Sequence, residues 1–189
     1  GLKVSGSNAL PIGYENGLNE LEALVESDRP TPIEKKGLIY DYKVKEEYLR
    51  FLEQYKPKHL DSLNMAIDGS NGMAGLLIKK ILGNKPHYLY ADIDCSFPNH
   101  DPNPLKEENL TDLKELVKKE KCDIGVIFDG DADRVMFVDE KANFISPDLI
   151  IALLGHYFLK DKDGIVLQDI RTSKSVKEYL TPMGAEVHT

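Results

Sequence analysis

Residues 122–139 read CDIGVIFDGDADRVMFVD, and this stretch decides the fold. An apolar run at 124–128 leads into the acidic hexapeptide DGDADR, and a second apolar run at 135–138 follows at once. Short bounded runs that are rich in Val, Ile and Phe are typical of buried strands. The sequence therefore predicts two strands joined by a tight loop that carries an aspartate at every second position.

The acidic loop is a candidate metal site. Its three carboxylates repel one another unless water, protonation or a cation relieves the repulsion. Oxygen ligands on a compact loop suit a hard divalent cation, and Mg²⁺ often shares its coordination shell with a substrate phosphate. Arg134 follows directly and could bind a phosphate or carboxylate through two parallel hydrogen bonds. The predicted metal ligands are Asp129, Asp131 and Asp133.

Other interpretations of this loop compete with a catalytic metal site. The simplest is a solvated acidic turn, since Asp and Gly are common turn residues. An EF-hand would need glycine at its sixth position, where this loop has Arg134, so we reject it. Two alternatives stay open: a phosphatase with Asp129 as its nucleophile, and a non-catalytic module in which the metal only stabilises the fold.

Composition limits the classes of partner. The 189 residues carry a net charge of −8, and such an acidic balance argues against nucleic acid or an anionic membrane as the main partner. The longest apolar stretch, 149–159, is too short to span a bilayer. Cys95 and Cys122 form no motif-spaced pair, which favours the reducing cytoplasm. We therefore expect a globular cytoplasmic protein, and its oligomeric state stays open.

Strand-like and helix-like segments alternate before the acidic loop. Residues 62–83 predict a strand, a glycine-rich turn with the sequence DGSNGMAG, and a helix. We give that turn a structural role, because its glycine spacing is not the dinucleotide fingerprint. Residues 96–104 form a proline-rich loop, and we treat His100 as part of that loop's structure only. A helix capped by Asn109 or Thr111 then precedes the acidic stretch.

This alternation predicts an α/β fold with a mixed, mostly parallel sheet and helices on its faces. Such folds bind ligands at the carboxyl ends of parallel strands, and Asp129 stands at such an end. Two further helices are predicted, one over 16–26 with Asn16 as its cap, and one that Ser146 caps with Pro147 at the first helical position.

The stretch VIFDGDADRVMFVD resembles the metal-binding loop of the α-D-phosphohexomutases, the phosphomannomutase/phosphoglucomutase family. The segment FPNHDPNP is similar to the family's F-P-x-H-x-P-x-P segment. Residues 1–3 look like the last three positions of the family's serine motif, T-A-S-H-N-P-x-x-Y-N-G-x-K. The resemblance covers nearly the whole chain, and it places the family's phosphoserine before residue 1.

The resemblance implies repeated sheet domains of similar topology, with a core like the family's second domain. Residues 1–27 would be the C-terminal tail of the first domain, and 28–42 would be a linker. Residues 43–143 would form the second domain, which contains the metal-binding loop. Residues 144–189 would be the truncated start of the third domain.

The resemblance also implies an isomerase that moves a phosphoryl group between O1 and O6 of a hexose phosphate by way of the phosphoserine. Mg²⁺ would be the cofactor, held by the three aspartates, and Arg134 would steady the transferring phosphoryl group. Lys3 matches the family's proton-transfer lysine, and Arg171 matches a basic residue that contacts the phosphosugar. We expect mannose or glucose phosphate as the substrate, and we expect this chain alone to be inactive.

Overall fold

The computed structural model divides the chain into two compact units, Gly1–Val44 and Lys45–Thr189. Part of the predicted linker lies outside the residues that it describes. The described residues are 4–27, 34–35, 37–160 and 163–189.

The described residues of the first unit include one α-helix, α1 (Leu18–Glu26), and a bridge between Ser5 and Pro11. The predicted cap of this helix is wrong, because Gly17 occupies the cap position. Asn16 instead ends a separate turn, where its side chain accepts a hydrogen bond from the Gly13 amide at 2.5 Å. None of the described residues from 4 to 44 is buried, so they enclose no core of their own.

The second unit alternates strands and helices, which confirms the predicted α/β class. The strands are β1 (Met65–Asp68), β2 (His87–Leu89), β3 (Ile124–Phe128), β4 (Val135–Asp139), β5 (Phe144–Ile145), β6 (Gly164–Leu167) and β7 (Ala185–His188). The helices are α2 (Lys45–Glu53), α3 (Ile78–Leu82), α4 (Thr111–Glu120), α5 (Pro147–Phe158) and α6 (Lys174–Leu180).

Five strands form the larger sheet, in the order β2-β1-β3-β4-β5. The three strands β2, β1 and β3 run parallel, whereas β4 and β5 are antiparallel additions. Met65 pairs with Ile124 and Asp68 with Ile127, so β1 and β3 end at the same edge of the sheet. The loops that follow these two strands therefore meet at that edge.

The larger sheet is covered on both faces, because side chains alternate along each strand. Ala66 and Ile127 point into a cluster with α4, and β1 sends Met65 and Ile67 to the other face, where they pack with Ile78 of α3. The first cluster contains Ala66, Leu110, Leu113, Val117, Cys122, Ile127, Val138 and Ala142. Strand β1 is buried throughout and lies between β2 and β3.

A second, two-stranded parallel sheet pairs β6 with β7 and packs against α5 and α6. Its buried residues include Leu159, Val176 and Leu180. Ser146 caps α5 through a hydrogen bond from the Asp148 amide, and Pro147 takes the first helical position, as predicted.

Three details of the sequence prediction are corrected. Strand β4 is only partly buried, because Val135 at its start is 39% exposed. Strand β5, which pairs with β4, was not predicted, since two residues are too short for a periodic signal. Neither Asn109 nor Thr111 caps α4: Leu110 holds the cap position, and the buried Asn109 amide donates to the Asn103 carbonyl at 2.8 Å.

Among the described residues, no helix has the length and apolar character needed to cross a membrane.

We expect Gly125→Ala to destabilise the larger sheet. A Cβ atom at Gly125 would lie 2.8 Å from Val117 Cγ2 and 3.2 Å from Leu113 Cγ, so α4 must move away from β3. Overpacking of this kind costs about 1–3 kcal/mol of unfolding free energy. Urea denaturation measures the cost, and Gly37→Ala is the control because no atom lies within 4 Å of its added Cβ. Equal unfolding free energies for the two variants would contradict this packing.

Candidate metal-binding site

The acidic loop closes the hairpin between β3 and β4. The Asp129 amide donates to the Arg134 carbonyl at 3.2 Å, and the Ala132 amide donates to the Asp129 carbonyl at 3.2 Å. Ala132 adopts a left-handed conformation with φ of 60°, which turns the chain between the second and third aspartates. This tight turn brings the three predicted ligands together.

One carboxylate oxygen from each of Asp129, Asp131 and Asp133 can be chosen so that all three lie within 4.8 Å of one another. Opposite oxygens of an octahedral Mg²⁺ shell lie about 4 Å apart, because each Mg–O bond is about 2.1 Å. Asp129 is buried, whereas Asp131 and Asp133 are exposed. The donor set is all oxygen, anionic and open on one side, which fits a hard divalent cation that also binds a substrate oxygen.

Arg134 anchors the buried aspartate. Its Nε donates to Asp129 Oδ2 at 2.6 Å and lies 3.7 Å from Asp133 Oδ1, while its backbone amide donates to Asp129 Oδ1 at 3.1 Å. Burial raises the pKa of Asp129, but the hydrogen bonds from Arg134 and Asp133 and the charge of Arg134 together outweigh burial and lower this pKa overall. Asp129 therefore stays ionised, and Arg134 stays charged, since its ion pair with Asp129 raises its own pKa.

The glycine-rich turn after β1 packs directly on the acidic loop. The Met73 amide donates to the Gly130 carbonyl at 2.9 Å. A Cβ atom on Gly72 would lie 2.6 Å from that carbonyl oxygen, so only glycine fits there. Ser70 Oγ donates to the Phe128 carbonyl at 2.6 Å. The turn therefore touches the backbone on both sides of Asp129, in keeping with the structural role predicted for it.

Sequence reasoning missed a buried ion pair under these loops. His100 Nε2 lies 3.1 Å from Asp68 Oδ2, and the side chains are 9% and 0% exposed. The Tyr90 ring packs edge-on against the His100 ring at 5.5 Å, and its hydroxyl donates to Asp112 at 2.5 Å. The hydrogen bond to Asp112 raises the pKa of Tyr90 to about 12. His100 is 32 residues from Asp68, so spacing along the chain gave no signal of their contact.

Several left-handed residues cluster in the loops that form this site. Bulky side chains rarely adopt positive φ, and such conformations persist where the surrounding structure enforces them. The Asn71 amide donates to the Tyr90 carbonyl, and the Asp94 amide donates to the Asn71 carbonyl, which pins two of these loops together. The left-handed residues are Ser70 (φ 50°), Asn71 (52°), Tyr90 (47°), Phe97 (49°) and Ala132 (60°).

Arg171 lies elsewhere, in the turn between β6 and α6. Its side chain is 88% exposed, and its Nε and Nη2 donate to Asp169 at 2.8 and 3.3 Å. The structure brings the three aspartates and Arg134 together, but it does not bring Arg171 into that hydrogen-bonded group. Lys3 lies outside the described residues.

Comparison with known protein families places this loop in a named domain. The family described as "Phosphoglucomutase/phosphomannomutase, alpha/beta/alpha domain II" matches residues 46–142, which is just over half of the chain. The matched range contains the larger sheet up to β4, the acidic loop and the Asp68–His100 pair.

Individual proteins agree with this match. A phosphoglucomutase from Neisseria meningitidis serogroup B is 32% identical over 89% of this chain and 37% of its own length. A phosphomannomutase from Vibrio cholerae is 32% identical over 97% of this chain and 42% of its own length. The crystal structure of a phosphoglucomutase/phosphomannomutase family protein from Burkholderia thailandensis superposes with a TM-score of 0.75 at 27% identity, over 93% of this chain and 38% of its own. The chain thus spans about two fifths of the length of these relatives.

We expect the Asp68–His100 pair to make stability depend on pH. The hydrogen bond to Asp68 raises the pKa of His100 above its ordinary value of 6.5. The pair's contribution to the free energy of unfolding is therefore fully present below pH 6.5 and is lost as the pH rises through the raised pKa. The charged groups that face His100 are Asp68 and Asp112, and Tyr90 does not titrate in this window. His100→Gln removes the charge. The melting-temperature difference between wild type and variant should therefore be largest near about pH 6 and shrink towards about pH 9. A constant difference would contradict this explanation.

Proposed function

The chain belongs to the phosphoglucomutase/phosphomannomutase family, and we propose that it carries the metal-binding loop of a Mg²⁺-dependent hexose-phosphate mutase. In this proposal a phosphoryl group would move between the 1- and 6-positions of the sugar through a phosphoserine, which would lie before residue 1. The observation that carries the proposal is the convergence of Asp129, Asp131 and Asp133 beside Arg134 at the carboxyl ends of the parallel strands β1 and β3.

The three aspartates would hold the ion. Asp129 supplies a buried, ionised carboxylate in a fixed position, and Asp131 and Asp133 supply carboxylates on the exposed side of the loop. When bound, Mg²⁺ would offset the negative charge on a phosphate while a P–O bond breaks. The exposed side of the loop leaves room for that phosphate.

Arg134 has two tasks in this proposal. Through Nε and its backbone amide it orients Asp129, and with 47% of its side chain exposed it can also donate to a phosphate oxygen. The fixed carboxylate limits the directions in which the guanidinium can point, which favours bidentate binding of a phosphate. Arg134 would thereby position the transferring phosphoryl group.

Two further roles rest on the family resemblance. Arg171, whose guanidinium is exposed and held by Asp169, would contact the distal part of the phosphosugar. Lys3 would accept or return the proton of the reacting hydroxyl.

Mannose or glucose phosphate would be the substrate, and the relatives named phosphomannomutase and phosphoglucomutase support that pair. The proposal also includes the division of the chain into parts of three domains, with boundaries after residues 27, 42 and 143. The cytoplasm is the proposed location, and the free thiols of Cys95 and Cys122 support it.

The aspartyl phosphatase alternative loses support at Asp129. Both of its carboxylate oxygens accept hydrogen bonds from Arg134, and its side chain is only 1% exposed. A nucleophilic carboxylate needs an oxygen that can reach a phosphorus atom. An ion seated among the three carboxylates can still use a second lone pair of a hydrogen-bonded Asp129 oxygen, so the geometry favours Asp129 as a ligand rather than as a nucleophile.

We expect Asp131→Asn in the full-length gene product to lower kcat/KM for mannose 1-phosphate by about 100-fold or more, as loss of one charge-stabilising group does in other enzymes. Asp131 is exposed, so its replacement should change the unfolding free energy by less than about 0.5 kcal/mol. Asp61→Asn, which removes another exposed carboxylate, is the control. Unchanged turnover in Asp131→Asn together with a lower melting temperature would favour the non-catalytic metal module.

We expect the 189-residue chain alone to convert no mannose 1-phosphate into the 6-phosphate, because the proposed phosphoserine is not in it. The full-length gene product, assayed in parallel, is the positive control. Robust conversion of mannose 1-phosphate by the chain alone would contradict the phosphoserine mechanism. Release of inorganic phosphate by the chain, and its loss in Asp129→Asn, would instead favour the aspartyl phosphatase.

A further inference from the structure

The buried pair of Asp68 and His100 joins the end of β1 to the proline-rich loop. The Asp68 side chain is fully buried, and a carboxylate in that setting needs a cation or several hydrogen bonds. His100 Nδ1 lies 3.0 Å from the Asp101 carbonyl oxygen, and Nε2 lies 3.1 Å from Asp68 Oδ2. Both nitrogens face acceptors, so the doubly protonated ring satisfies both contacts.

The second oxygen of Asp68 holds the turn that follows. The Ser70 amide donates to Asp68 Oδ1 at 2.8 Å, and this bond fixes Ser70 in its left-handed conformation. From there, Ser70 Oγ donates to the carbonyl of Phe128, the residue before Asp129. One short chain of hydrogen bonds therefore runs from His100 through Asp68 and Ser70 to the backbone beside the first proposed metal ligand.

The same turn reaches the other side of that ligand. The Met73 amide donates to the Gly130 carbonyl at 2.9 Å, and the Gly72 backbone lies so close to Gly130 that a side chain would not fit. Phe128 and Gly130 flank Asp129, so the carbonyl groups of both neighbouring residues accept hydrogen bonds from one turn. A shift of this turn would move Asp129 relative to the other two carboxylates.

We propose that His100 is a positioning residue for the metal loop, which acts by fixing the turn 69–73 through Asp68 and thereby fixing the backbone on both sides of Asp129. His100 contacts Asp68, the Asp101 carbonyl and the Tyr90 ring, so we infer that its effect on the metal loop runs through Asp68. The assignment of the loop to a divalent cation rests on the proposed function, whereas the positioning of the loop backbone does not. Replacing a residue that orients metal ligands without binding the metal itself typically lowers metal affinity by about 10- to 100-fold.

Two polar variants separate the contacts of His100. A glutamine amide nitrogen can take the place of Nε2 and keep the bond to Asp68, whereas an asparagine amide can replace only Nδ1. We expect His100→Asn to speed hydrogen exchange of the Met73 and Ala132 amides about tenfold in the metal-free chain, since a lost bond to a charged group has an effect of that order. His100→Gln, which keeps the hydrogen bond but loses the charge, should exchange these amides more slowly than His100→Asn. His188→Asn is the matched control, because His188 has a 3.0 Å contact with Glu186 but both side chains are more than half exposed.

Titration with Mg²⁺ provides the second readout. We expect His100→Asn to bind Mg²⁺ about tenfold more weakly than wild type, with His100→Gln restoring most of the affinity and His188→Asn leaving it unchanged. If the asparagine and glutamine variants match the control in both amide exchange and Mg²⁺ affinity, the positioning role is overturned. If wild type binds no Mg²⁺, the metal assignment fails, and amide exchange alone still decides whether His100 positions the loop.

Discussion

Repulsion among three carboxylates in one hairpin loop is the constraint on which this part of the molecule depends. Asp129, Asp131 and Asp133 present oxygens within 4.8 Å of one another, and the chain gains nothing from such crowding in folding alone. Arg134 offsets part of the charge, and bonds from a neighbouring turn hold the loop backbone in place. The loop therefore concentrates negative charge at a cost in stability, which is what a site for a cation requires, and the cation and Arg134 would in turn attract a phosphate.

The sheet explains why the supporting turn is in the right place. Strands β1 and β3 are parallel neighbours and end at the same edge, while the chain leaves them towards opposite sides of the sheet, to β2 and β4. Ligand sites of open α/β sheets lie at such divergence points. Asp68 ends β1 and Asp129 directly follows β3, so the two buried aspartates lie at the same edge of the sheet, one in a structural ion pair and the other in the candidate metal site.

Local patterns in the sequence were sufficient for much of this structure. The apolar runs around DGDADR predicted β3 and β4, the hydroxyl and proline before α5 predicted its start, and alternate aspartates predicted the candidate metal ligands. Long-range contacts were not predictable in this way. The contact of His100 with Asp68 spans 32 residues and left no local signal. The predicted caps of α1 and α4 were wrong because Asn16 bonds to the Gly13 amide and Asn109 to the Asn103 carbonyl. A pattern read along one chain segment cannot report what folding brings to it from another.

Paramagnetic NMR with Mn²⁺ in place of Mg²⁺ would test most directly whether the acidic loop binds a divalent cation. Mn²⁺ also prefers octahedral oxygen ligands, and it broadens the resonances of nuclei close to it. Substoichiometric Mn²⁺ added to the 189-residue chain should broaden the amide resonances of 129–134 first, then those of 69–73, and excess Mg²⁺ should reverse the effect. Broadening centred on another acidic surface, or uniform weak broadening that Mg²⁺ does not reverse, would contradict a metal site at Asp129, Asp131 and Asp133.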